Sequence, residues 1–81
     1  MHELSLAQGL LDQLLALARE HDAGTILNVK VQIGDQAGIV VDSFVFGFHA
    51  VKTGYQITRN ANLEIQEVPG TDLILAQVEM E

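Results

Sequence analysis

Between Leu6 and Ala18 the apolar residues fall on one side of a helix, and this stripe constrains the fold more than anything else in the chain. Leu6, Leu10, Leu14 and Leu17 recur at i, i+4, i+8 and i+11, and Leu11, Leu15 and Ala18 widen the row. Gln8, Asp12, Gln13, Arg19 and Glu20 lie mostly on the opposite side. An amphipathic helix of about 16 residues with so broad an apolar face must be covered by another layer. Ser5-Leu6-Ala7-Gln8 reads as a capping box that starts it, and Gly24, just beyond Asp22, reads as its C-cap.

The covering layer is legible downstream. Leu27, Val29, Val31 and Ile33 alternate with Asn28, Lys30 and Gln32, the period-two pattern of a strand with one buried face. Gly34 ends it, and Gly34-Asp35-Gln36-Ala37-Gly38 reads as a loop. Residues Asp42 to Lys52 combine strand-favouring side chains with helical spacing of Phe44, Phe48 and Val51. Asp42 as N-cap and Gly54 as C-cap decide for a helix. Leu63 and Ile65 between polar neighbours mark a second strand, and a third runs from about Leu73 to Glu79. Val68-Pro69-Gly70-Thr71 carries Pro and Gly at the centre of a type II turn, which predicts an antiparallel hairpin of the last two strands. The expected architecture is a two-layer α/β (α+β) domain, helix-strand-helix-strand-strand, with a three-stranded mixed sheet and both helices on one face.

At 81 residues this is a single domain, 1–81, with no internal repeat or linker. A chain of this size buries only about 60 to 65% of its unfolded surface. It contains no cysteine, which excludes disulfides and thiolate zinc sites as supports. With 48% hydrophobic residues it has the means to form a core without them.

The formal charge of −7 comes from 11 acidic residues against Arg19, Lys30, Lys52 and Arg59, none adjacent to another. Nucleic-acid binding requires clustered cations and is not expected. No apolar run approaches the roughly 20 residues of a membrane span, and no secretory signal pattern opens the chain, so a cytoplasmic location is expected. Enzymatic function has no support either: there is no phosphate loop, no Gly-x-Gly-x-x-Gly, no thiol, and no base and acid arranged around Ser43.

Metal-binding groups gather only at Met1-His2-Glu3, where an amine, an imidazole and a carboxylate fall within three residues, just ahead of the expected helix. Amine and imidazole nitrogens suit Ni(II) or Cu(II) in planar or tetragonal sites. Such donors must lose protons, so affinity should fall with pH through the range where imidazoles and α-amines titrate, roughly 6.5 to 7.8. The bland alternative is an ordinary solvated terminus. His21, at the end of the first helix, reads as a surface residue favoured by the helix dipole, and His49, off the Phe44/Phe48 stripe, as exposed. Glu64 and Glu67 read as solvated strand positions. Phe44, Phe46 and Phe48 read as core, with Phe46 the one that could face outward and mark an interface.

Met1-His2-Glu3-Leu4-Ser5-Leu6-Ala7, Ile33-Gly34-Asp35-Gln36-Ala37-Gly38, Phe44 to Phe48, and Leu63-Glu64-Ile65 through Glu67-Val68-Pro69 follow one order. In this the chain resembles the HypA family, nickel metallochaperones of [NiFe]-hydrogenase maturation. The resemblance spans essentially the whole chain, and Met-His-Glu-Leu-Ser is its most specific part. It implies Ni(II) as the cargo, His2 as the invariant ligand, and Met1 and Glu3 as the other groups involved. It also implies a HypB-like GTPase and a [NiFe]-hydrogenase large subunit as partners.

One departure is large. The family carries a zinc domain with two Cys-x-x-Cys pairs between its last two strands, and here only Pro69-Gly70-Thr71-Asp72 stands there. No zinc is therefore expected. The sequence reads the same whether that module was removed by design or lost naturally. The alternative function is a zinc-free interaction or scaffold module that binds the GTPase or uses an exposed strand edge to form a homodimer.

Overall fold

The structure, a computed structural model, describes residues 2–81. Its elements run α1 (His2–Glu20), β1 (Ile26–Gly34), α2 (Val41–Lys52), β2 (Asn62–Val68) and β3 (Leu73–Met80). This is the expected α+β order, with a mixed three-stranded sheet.

The sheet order, β2-β1-β3, overturns the hairpin. β1 lies in the middle, parallel to β2 and antiparallel to β3, so the last two strands never pair with each other. β1 is the most buried of the three: Ile26, Val29, Val31 and Ile33 are all fully or almost fully buried. Placing it centrally removes both of its edges from water, while β2 and β3 alternate between half-buried and exposed residues. The Pro69-Gly70 turn must then cross the end of β1 instead of folding back beside β2. Four bonds pin the crossing. Gly34 N–H donates to Asp72 O at 2.8 Å, Asp35 N–H to Val68 O at 2.7 Å, and Gln36 N–H to Gly70 O at 2.8 Å. In return the Asp35 carboxylate accepts Gly70 N–H at 3.1 Å.

Two β-bulges, which alternation alone does not reveal, set which side chains face the helices. Ile26 pairs with Met80 and Asn28 with Glu79, so Leu27 is an extra residue in β1. Lys30 pairs with Gln77 and Val31 with Leu75, so Ala76 is extra in β3. Each bulge shifts the phase by one residue. Ile26 therefore takes the buried position expected for Leu27, and the inward set of β3 changes from Leu73 and Leu75 to Val78 and Met80. Ala7, Leu10, Leu14 and Ala18 of α1 and Phe44 and Phe48 of α2 complete one core against this face. The opposite face stays polar, with Asn28, Lys30, Asn62, Glu64, Gln77 and Glu79 around a shallow depression.

The helix ends also differ from expectation. α1 begins at His2, so Ser5 lies inside the helix and the capping box is not its start. The Gln8 amide donates to Asp12 instead. At the other end Asp22, not Gly24, is the left-handed residue, with φ of 52°. Ala23 N–H bonds to Ala18 O and Asp22 N–H to Arg19 O, a Schellman motif that swings Ala23 back onto the core.

α2 starts at Val41 with Val40 as its N-cap residue, and Asp42 falls within its first turn, where a carboxylate is favoured by the dipole. Gly54 has no positive φ and does not cap the helix, whose C-cap is Thr53 in a right-handed conformation. The buried Thr58 hydroxyl donates to Lys52 O at 2.8 Å and satisfies a carbonyl at that end. No helix is long and apolar enough to cross a membrane.

Candidate metal centre

The candidate site is the outermost turn of α1. Because the helix starts at His2, His2 and Glu3 lie within it and not ahead of it. His2 is exposed and Glu3 partly buried, while Met1 lies outside the described residues. The first amides of a helix have no acceptor within it, so backbone nitrogen here is not committed to the helical ladder.

Glu3 is tied down. Its Oε2 accepts the backbone N–H of Val40 at 3.1 Å, and α2 has no side-chain cap of its own. That bond, then the Glu3 amide and the nearby His2, hold its carboxyl below the usual glutamate range. The carboxylate is thus a brace between the start of α1 and the start of α2.

Beside this brace lies an open groove of about 460 Å³. Leu4, Phe46, Gly47 and Ala50 give it an apolar lining, and among the described residues its charged members are Glu3 and Asp42. At Gly47 the two helices lie close together: a Cβ there would stand 3.4 Å from Ala7 Cβ and 3.5 Å from Leu4 Cδ1, in ordinary van der Waals contact.

The other expected histidines do not join His2. His21 is exposed beyond the far end of α1, roughly 28 Å away at 1.5 Å per residue. His49 is exposed with its ring 6.3 Å from that of Phe48. Among the described residues no three His, Asp or Glu side chains converge into a metal-binding group. A cation held at this tip would therefore draw on backbone or terminal nitrogen in addition to His2. The residue that sequence reasoning missed is Val40, and its only signal is the lack of a polar residue from Ile39 to Val41.

A small α+β domain whose first helix presents a histidine on its opening turn, beside an acidic brace, is the class of protein these features define. Residues 1–72 match the family described as hydrogenase/urease nickel incorporation, metallochaperone, hypA. The hydrogenase maturation factor HypA of Albidiferax ferrireducens is 37% identical over 79 residues, covering 98% of this chain and 69% of its own. That of Chlorobium limicola is 41% identical over 68 residues, covering 84% of this chain and 58% of its own.

The solution structure of the Ni metallochaperone HypA from Helicobacter pylori shares the fold, with a TM-score of 0.78 at 17% identity, covering 98% of this chain and 86% of that one. This chain belongs to the HypA family. The family's described role is nickel incorporation and not catalysis.

Proposed function

We propose that this chain binds Ni(II) through Met1 and His2, with Glu3 contributing, and passes it on for [NiFe]-hydrogenase maturation. The observation that carries the reading is the exposed His2 on the first turn of α1 in a chain of the HypA family. A divalent cation at a helix N-terminus works against the dipole. Binding therefore rests on nitrogen donors that shed protons and on the negative charge of Glu3. Delivery requires release, which a site on one exposed turn permits.

The recipients in this reading are a HypB-like GTPase and the hydrogenase large subunit, met in the cytoplasm. With no cysteine to build the family's zinc module, these exchanges proceed without zinc.

The test is calorimetric titration of the chain with Ni(II), with intact mass spectrometry to establish that the Met1 amine is free. One equivalent should bind, and His2→Ala should abolish binding while circular dichroism stays unchanged. Equal binding by His2→Ala would refute the reading. The second reading, an interaction module without metal transfer, is favoured by the apolar groove beside Glu3. Full partner binding by protein that takes up no nickel would support it.

A further inference from the structure

Leu4, Val40 and Phe46 are 46, 59 and 77% exposed, and all three lie where the start of α1 meets α2. Leu4 and Phe46 line the groove, and Val40, bonded to Glu3, stands at the head of α2. Apolar area left in water is costly at about 25 cal/mol per Å², so a partner that covered these three side chains would gain from it.

The chemistry of the groove defines its occupant. Its walls are two helices, so no strand edge is available for a peptide to extend, and a helix laid into the groove is the mode that fits. Among the described residues its charged members, Glu3 and Asp42, are both acidic, in a chain of net charge −7. The geometry points to a docking site for an amphipathic helix of a partner protein, with apolar anchors seated over Leu4, Phe46 and Gly47 and basic residues on its flanks. The groove and the tip share Glu3, so a helix docked here lies next to His2. The docking itself does not depend on nickel.

The probe is a synthetic helix-forming peptide with leucines at i, i+4 and i+7 and lysines on its flanks, compared with a version carrying glutamates for lysines. Fluorescence anisotropy and amide shift mapping on the full chain read the result. The lysine peptide should bind, shift Leu4, Phe46, Gly47 and Ala50, and weaken as salt rises.

Phe46→Ser, at a residue too exposed to support the core, should weaken binding about tenfold or more. Asp42→Asn should weaken it about threefold, and the glutamate peptide should bind at least about tenfold more weakly. His2→Ala should bind the lysine peptide normally, which separates this result from the nickel reading.

Absence of binding, equal binding of both peptides, shifts confined to another surface, or indifference to Phe46→Ser would each overturn the proposal. So would a concentration-dependent dimer in sedimentation equilibrium that Phe46→Ser dissolves, since the groove's occupant would then be a second copy.

Discussion

The Glu3 carboxylate accepts the Val40 backbone N–H at 3.1 Å across 37 residues of sequence, closing the first turn of α1 onto the start of α2. One side chain thereby fixes the tip that carries His2, caps a helix that lacks its own cap, and forms one wall of the groove.

Glu3→Gln should lower the urea midpoint at neutral pH. The Glu3 carboxyl titrates below its ordinary value in the folded state because the ionised form accepts the Val40 N–H. Its stabilisation is therefore complete above the unfolded glutamate pKa and is lost as pH falls through the lowered folded value. Denaturation at pH 7 and again at a pH below that value should show the difference between the two proteins disappearing. A difference that persists unchanged in acid would mean that the brace does not depend on charge.

Gly34→Ala should be severely destabilising. A Cβ at Gly34 would stand 2.3 Å from Gly70 O and 2.8 Å from Thr71 N, both backbone atoms with little room to move. The cost should be about 2 to 3 kcal/mol or more, read from chemical denaturation. An alanine variant of wild-type stability would mean that the turn does not cross β1 as described.

Asp22→Gly should stabilise the domain. Asp22 holds φ of 52°, and its negative charge sits at the C-terminal end of α1. Glycine adopts that conformation freely and removes the unfavourable charge, a gain of about 0.5 to 1 kcal/mol. Thermal denaturation gives the sign directly.

Thr58→Val should cost about 1 to 2 kcal/mol, because it removes a buried hydroxyl that satisfies Lys52 O. Thr58→Ser keeps the hydroxyl and should recover part of the loss, which separates the hydrogen bond from the packing of the methyl group.

The second helix was legible because Phe44 and Phe48 stand one turn apart, and both are buried. The first was legible in its stripe but not in its start. Ser5-Leu6-Ala7-Gln8 carries the local chemistry of a cap, yet the same residues fit a helix interior, and nothing before them stops the helix. The hairpin failed for a related reason. Pro69-Gly70 dictates a reversal, but a reversal does not say which edge of the sheet the next strand joins. At the site, His2 and Glu3 stood out by residue type, whereas the Val40 amide carries no side-chain signature and lies far along the chain.

The sequence by itself determined the element types, the apolar faces and the histidine at the tip, because these follow from spacing and side-chain chemistry within a few residues. Tertiary structure alone decided that β1 lies between β2 and β3, that bulges at Leu27 and Ala76 reset the inward faces, and that Glu3 braces α2. Each of those choices involves backbone N–H and C=O groups, which carry little residue-specific signature and take their partners from whatever the packed core brings within reach.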